Sequence, residues 1–212
     1  MSITLYTSGS TSVPKQIFHK NISANVQHTI QEIKLTSADV VLDIFPANVI
    51  AHYTITALPA ITVGAHLVSS LFDPYSYIKL FNEFNPTVIS LIPRHIEILE
   101  KTKGWNELDM SSVRYMVTGS QKVKQPMINS LLNKGVQLVA NWYGMTEFPP
   151  PVLIGYNSEQ FSLPNSLLYS VDFSNDGECI IDGIHTGDIF DLSTLTFKYR
   201  RQHYGGTTWK TL

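Results

Sequence analysis

The sequence predicts an α/β fold: a mostly parallel sheet flanked by helices, followed by a small antiparallel β-rich subdomain. Three observations carry that prediction. Residues 113–141 read as a βαβ unit, with apolar strand-like runs on either side of a helical stretch near 125–133 and Gly135 as the helix stop. Upstream of it, helix-like and strand-like segments alternate. Downstream of Pro149-Pro150-Pro151, short apolar runs are divided by Asn-Asp-Gly and Ser-Thr turns, which suits antiparallel strands. The boundary falls near 148–165, separating an α/β core over 1–150 from a β-rich subdomain over 151–212.

Taken in order, a strand at about 3–7 leads through a polar loop to a helix near 21–34 and a strand near 40–45. Helical periodicity over 73–84 puts Tyr77, Leu80, Phe81 and Phe84 on one face. Asn85-Pro86 ends that helix, because the residue before proline disfavours the helical conformation. Residues 87–91 form a buried strand, and Pro93 opens a helix that runs through Lys103. Strands over 113–118 and 136–141 flank the helix near 125–133. The β-rich part contributes runs at 168–173, 178–182, 188–192 and 196–200. No internal repeat interrupts this order.

Composition narrows the function classes. The 212 residues are 43% hydrophobic and 15% charged, enough to bury a sizeable core. With a net charge of −2 and no run of lysine or arginine, neither nucleic acid nor a membrane surface is expected as partner. The single Cys179 rules out an intramolecular disulfide framework and fits a reducing compartment. The opening Met-Ser-Ile-Thr-Leu-Tyr lacks the basic and apolar regions of a signal peptide, and no apolar stretch is long enough to span a bilayer. The expectation is a cytoplasmic globular protein.

The most informative segment is residues 5–15. Thr7, Ser8, Ser10, Thr11 and Ser12 surround Gly9, and Lys15 follows Pro14. Hydroxyls and backbone N–H groups donate to phosphate oxygens, glycine permits tight curvature, and the lysine adds a point charge. A solvated polar turn is the plainer reading of that composition. The segment is not a Walker A loop, since no second glycine precedes the lysine. Further along, Asp188 offers two carboxylate oxygens to a ribose diol, with a turn residue after Gly187 as the plainer alternative. Glu147 is a hard oxygen ligand suited to Mg²⁺, or simply a surface carboxylate. Thr146 can donate to a phosphate oxygen. Trp142 and Tyr143 present flat faces to a purine, although aromatic residues at a strand end are more often core.

The order of these segments resembles that of the AMP-forming adenylating enzymes: acyl- and aryl-CoA synthetases, luciferases and peptide-synthetase adenylation domains. Tyr6 to Thr11, Pro14 and Lys15 match the phosphate-loop pattern Y-T-S-G-S-T-G-x-P-K-G, with Ser12 and Gln16 standing where the family has glycine. His19-Lys20-Asn21-Ile22 is similar to the H-R-N-L continuation. Gly119-Ser120-Gln121 stands at the G-G-A adenine-binding turn, Asn141 to Glu147 at Y-G-x-T-E, and Thr186-Gly187-Asp188 at T-G-D. Arg200, or equally Arg201, stands at the ribose-contacting arginine before the hinge. The resemblance implies attack of a carboxylate on the α-phosphate of ATP, giving an acyl-adenylate and pyrophosphate with Mg²⁺ on Glu147. Lys15, Thr146 and the loop hydroxyls would stabilise charge; Thr7, Ser8, Gly9, Ser10, Thr11, Gly119, Ser120, Gln121, Asn141, Trp142, Tyr143, Gly144, Asp188 and Arg200 would bind nucleotide.

By the same resemblance Asn48, Val49, His52 and Tyr53 wall the acid pocket. The absence of aspartate between residues 44 and 72 disfavours an α-amino acid, leaving a small aryl or acyl carboxylate. Family members extend further at both ends, so the resemblance implies a truncated form without an N-terminal portion or a mobile C-terminal domain. Nothing aligns with the family's adenylation lysine. A homodimer or a complementing second chain is therefore expected, because faces normally covered would be exposed. Two other readings stand beside catalysis: a degenerate ATP/AMP-binding protein without turnover, favoured by Ser12 and Gln16, and an assembly subunit that keeps only the fold.

Overall fold

A computed structural model of the chain describes residues 1–6, 16–164, 166–204 and 208–211, with side chains through Arg201. It contains three sheets. β1 (Ile3–Tyr6) and β2 (Gln16–His19) form an antiparallel pair with Tyr6 opposite Gln16. Tyr6 and Gln16, the described residues on either side of the polar segment, are therefore strand partners. β2 is not legible in the sequence, being four residues long and defined by its partner.

The central sheet follows α1 (Ser23–Ile33). It is built from β3 (Val40–Asp43), β4 (His66–Ser69), β5 (Val88–Ser90), β6 (Tyr115–Gly119), β7 (Val139–Tyr143) and β8 (Leu153–Tyr156), in the spatial order β4-β3-β5-β6-β7-β8. The first five are parallel, and β8 extends the sheet antiparallel to β7. The chain passes from β3 to β4 on one side and then crosses to β5 on the other side of β3, so the topological switch point lies between β3 and β5. In open α/β sheets ligands gather outside the carboxyl ends of the strands, at such a point.

Alternation along the strands explains why both faces are buried. Leu42, Ile89, Met116 and Val139 point to one side, where they meet Phe81 of α3 (Pro74–Phe84), Ile96 and Leu99 of α4 (Pro93–Leu99), Trp105 of α5 (Lys103–Glu107), and Ile128 and Leu131 of α6 (Gln125–Asn133). Val41, Val88, Tyr115, Ala140 and Trp142 point to the other, against Ile33 of α1 and Ala60 of α2 (Leu58–Val63). Apolar side chains on both faces are what a parallel sheet between two helical layers requires. The helix expected from Pro93 through Lys103 breaks in two: Thr102 Oγ1 donates to the Leu99 carbonyl at 2.5 Å, diverting the backbone before α5 starts. α3 begins as its sequence suggests, with Asp73 accepting the Ser76 N–H at 2.8 Å and Pro74 in the first turn.

The third sheet is antiparallel: β9 (Val171–Phe173), β10 (Glu178–Ile181), β11 (Ile184–Asp191), β12 (Thr196–Tyr204) and β13 (Thr208–Thr211), ordered β13-β12-β11-β10-β9. The fold class expected from the sequence is the one observed. Phe190, Ile181 and Cys179 of this sheet pack with Tyr143 and Leu153 of the central one, and with Phe148 of the loop between β7 and β8, in a shared apolar cluster. Burial pushes the Cys179 thiol up to about 12, so it acts as a small apolar filler rather than a nucleophile.

One ionic junction fastens the amino ends of the central strands. Asp39, immediately before β3, accepts from Arg114 Nε at 2.7 Å and Nη2 at 2.8 Å, from Thr87 Oγ1 at 2.8 Å and from the Thr36 N–H at 2.9 Å. The same guanidinium donates to the carbonyls of Ile33 and Lys34, satisfying groups left open where α1 ends. Burial works against the Asp39 charge, but the donors from Arg114, Thr36 and Thr87 outweigh it and hold the carboxyl near about 2. A depressed native pKa contributes stability that is complete above the unfolded value and lost as pH falls through the native one. Urea denaturation should therefore show stability falling between about pH 4 and pH 2, with a smaller fall in Asp39→Asn. An equally steep fall in the variant would show that another group sets the acid limit.

Candidate functional site

Two glycines shape the carboxyl edge of β6 and β7. A Cβ on Gly119 would stand 2.2 Å from the Trp142 carbonyl oxygen, and one on Gly144 would stand 2.7 Å from the Pro150 nitrogen. Any larger residue would force these backbones apart. Ser120, next to Gly119, adopts the left-handed conformation at φ 62°, which turns the chain sharply away from the strand. The result is a cleft of about 230 Å³ between the ends of β6 and β7 and the facing strands β11 and β12.

Eight sequence-selected residues line this one cleft: Ser120, Gln121, Asn141, Trp142, Tyr143, Gly144, Asp188 and Arg200. Lys122, Glu159, Phe161 and Phe197 line it as well, and sequence reasoning missed them. Only Lys122, one residue beyond the Gly119-Ser120-Gln121 turn, carried a usable signal; the other three arrive from loops and strands without a motif.

The cleft's charge centre is Asp188. Its carboxylate is 6% exposed and accepts the Tyr143 hydroxyl at 2.8 Å on one oxygen, while the other meets Arg200 Nε at 3.2 Å. Burial raises the Asp188 pKa above its ordinary value of 3.8; Glu178 and Glu147 add to the rise, and Arg200 and Tyr143 oppose it. Burial, reinforced by the charge on Asp188, pushes the Tyr143 phenol far upward, so it stays a donor at every working pH. Strand alternation puts Arg200 and Arg201 on opposite sides of β12. Arg200 faces the cleft, whereas Arg201 pairs with Asp176 and Glu178 instead.

The remaining selections divide. The Trp142 ring is 2% exposed and packs edge-on against Tyr115 at 6.3 Å, so its flat face is turned to the core. The Tyr143 ring is likewise enclosed, edge-on to Phe190 at 5.1 Å and Phe161 at 6.2 Å. Gln121 accepts the Arg94 N–H at 3.0 Å, joining the β6 turn to the first turn of α4. Thr146 and Glu147 sit half-buried just beyond the cleft, and the Thr146 carbonyl accepts His19 Nε2 at 2.7 Å, tying β2 to this turn. Thr7, Ser8, Gly9, Ser10, Thr11 and Lys15 lie outside the described residues. Among the described residues no group of three or more His, Cys, Asp or Glu could hold a metal ion unaided.

Asn48, Val49, His52 and Tyr53 form a separate group after β3. His52 opens a π-helical segment, His52–Ala57, that runs on into α2. Tyr53 donates to the Ala47 carbonyl at 2.8 Å and lies edge-on to His52. The unexpected member is Asp43, fully buried, which accepts His52 Nδ1 at 2.7 Å, Thr56 Oγ1 at 2.7 Å, the Phe45 N–H at 3.2 Å and Ser69 Oγ at 3.3 Å. No sequence pattern marks an aspartate whose partners arrive from three elements.

A raised native pKa at Asp188 means that its ionisation costs folding free energy. The cost is absent below the unfolded value near 3.8 and appears as pH rises through the native one. Asp188→Asn keeps the shape and removes the buried charge, so its urea midpoint at pH 7 should equal or exceed that of the parent chain. A clear drop would show that the Arg200 pair stabilises the fold more than burial of the carboxylate costs.

Comparison with known proteins gives the family and the fold. Residues 1–174 match the model of the AMP-binding enzyme family. The chain is 28% identical over 155 residues to a feruloyl-CoA synthase of Amycolatopsis, covering 72% of this chain and 31% of that one. It is 29% identical over 148 residues to an indoleacetate–CoA ligase of Aromatoleum aromaticum, covering 68% and 29%. The chain thus spans about a third of the length of these curated relatives. Among solved structures, o-succinylbenzoate coenzyme A synthetase of Bacillus subtilis, in complex with its acyl-adenylate intermediate, superposes with a TM-score of 0.75 at 19% identity, covering 93% of this chain and 48% of that one. The inhibitor-bound N-terminal domain of FACL13 from Mycobacterium tuberculosis gives 0.73 at 19% identity, covering 93% and 60%. The chain belongs to the AMP-binding enzyme family.

Proposed function

We propose that this chain binds ATP in the β6–β7 cleft and activates a small carboxylic acid, aryl or acyl, as its adenylate. The observation that carries the reading is the Asp188 carboxylate, fixed by Tyr143 and Arg200 at a cleft bounded by the Ser120 and Gly144 turns. A ribose diol donates two hydrogen bonds, and a carboxylate held open to the cleft is the acceptor it needs. Ser120 and Gly144 then border the base. With both aromatic rings enclosed, the base would lie against backbone edges and the Gln121 side.

In the proposed reaction an oxygen of the acid attacks the α-phosphorus, the bond from that phosphorus to the β-bridging oxygen breaks, and pyrophosphate leaves. No protein nucleophile is needed. Charge builds on the phosphate oxygens, and Lys15, the Thr146 hydroxyl and the hydroxyls of residues 7–11 are assigned to meet it. The His19–Thr146 contact supports that assignment, because it holds β2, from which the loop springs, against the turn bearing Thr146 and Glu147. Magnesium, when bound, would neutralise phosphate charge; Glu147 is the carboxylate assigned to it. A lone carboxylate fits an ion that takes most of its oxygens from phosphate and water. The relatives are named for ferulate and indoleacetate, which favours an aryl acid.

The test is acid-dependent ATP–pyrophosphate exchange across a panel of aryl and acyl carboxylates. Exchange with at least one acid, and none without acid, is expected. ATP with magnesium should also raise the melting temperature, since only the folded state binds it. Asp188→Asn should weaken nucleotide binding roughly tenfold, the loss expected when one polar partner in a buried pair is unpaired. Nucleotide binding without exchange would instead favour a non-catalytic ATP/AMP-binding protein. Unchanged affinity in Asp188→Asn would remove the ribose assignment.

A further inference from the structure

β10 and β11 do not pair evenly. Glu178 stands opposite Ile189 and Ile180 opposite His185, so Cys179 alone faces Thr186, Gly187 and Asp188. Surplus residues on one strand make a bulge, which bends that strand and re-aims its side chains. Neither Thr186 nor Gly187 has a ladder partner among the described residues. Side chains take up the amides of the bulge instead. Thr186 Oγ1 accepts the Asp188 N–H at 3.1 Å and donates to the Cys179 carbonyl at 2.8 Å. Glu178 Oε1 accepts the Gly187 N–H at 2.9 Å.

Glu178 is a buried carboxylate, and burying a charge is costly unless it is paired. Its second oxygen accepts His185 Nδ1 at 3.1 Å and meets Arg201 Nη1 at 3.5 Å. The neighbouring arginines of β12 thus serve two different carboxylates, Arg200 meeting Asp188 and Arg201 meeting Glu178. The backbone of Glu178 is held as well: its N–H donates to Ser174 Oγ at 2.9 Å, and its carbonyl accepts the Ser174 N–H at 3.0 Å. Glu178 is not among the residues that line the cleft. What its anchored side chain reaches is the backbone of the residue just before Asp188.

We propose that Glu178 is a positioning residue of the nucleotide site: by holding the Gly187 N–H it fixes the bulge that aims the Asp188 carboxylate into the cleft. Tyr143 and Arg200 steady the carboxylate at its tip, and Glu178 sets the backbone from which it springs. The inference rests on the proposed ribose-binding role of Asp188.

The probes are AMP and 2′,3′-dideoxy-AMP, which lacks both ribose hydroxyls, titrated by calorimetry into the full chain and its variants. The parent chain should bind AMP at least tenfold tighter than the dideoxy analogue, the worth of one good hydrogen bond or more. Glu178→Ala should lose most of that preference by weakening AMP while leaving the analogue's affinity in place. Glu178→Asp keeps the charge but withdraws the oxygen by one methylene, so it should lose the preference too and carries the same reading if the alanine variant does not fold. Glu178→Gln still presents a carbonyl oxygen to Gly187 and should retain most of the preference. In ¹⁵N–¹H spectra the Gly187 amide proton should move upfield in Glu178→Asp and stay near its parent position in Glu178→Gln. A preference that survives in the alanine and aspartate variants overturns the proposal alone. Equal weakening of both nucleotides overturns it in favour of a general loss of structure, and loss in Glu178→Gln as great as in Glu178→Asp overturns the assignment to the Gly187 bond. A parent chain that binds both nucleotides equally removes the ribose reading of Asp188 and this inference with it.

Discussion

The hydrogen bond from Tyr143 to Asp188, 2.8 Å long, joins the end of the central sheet to the middle of the antiparallel one across the floor of the cleft. Tyr143 is enclosed by Phe190 and Phe161 and Asp188 is buried beside it, where an unpaired phenol or carboxylate would cost about 1–3 kcal/mol. The two sheets therefore cannot shift past each other without exposing a buried polar group. That requirement sets the width of the cleft. It also keeps a carboxylate above its ordinary pKa in a place where structure alone would prefer an apolar or amide side chain. Retaining a costly charge on the lining of a cavity is the pattern expected of a ligand-binding group.

The two halves of the candidate site are built on different physics. On the nucleotide side, close backbone approach decides: Gly119 and Gly144 let strand ends come within distances that no Cβ allows, and Ser120 takes a left-handed turn between them. On the β3 side a saturated buried carboxylate decides, gathering a histidine, a threonine, a serine and a backbone N–H into one network. Gln121 and Phe45 link them through α4, the former accepting the Arg94 N–H and the latter lying 6.4 Å from the His95 ring.

Much of this was legible in the sequence where a local rule and the tertiary demand agree. The βαβ unit around α6, the proline-opened helices and the turn-punctuated strands after residue 168 all follow short-range chemistry, and the fold class emerges from them. The cleft residues were legible because they sit in motifs at strand ends. What escaped depends on distant partners. β2 needs β1, the π-helical segment needs Asp43, and the break before α5 needs Thr102 to find the Leu99 carbonyl. The Trp142 ring was open to two readings because strand alternation decides its face only once the register of β7 is known.

The central claim is that the Asp188 carboxylate and the Ser120 and Gly144 turns together hold an adenosine. A crystal structure of the chain grown with AMP tests it most directly. The account predicts both ribose hydroxyls on Asp188 and the base along the Ser120–Gln121 edge of the cleft. AMP bound elsewhere, with Asp188 still occupied by Tyr143 and Arg200 alone, would contradict it.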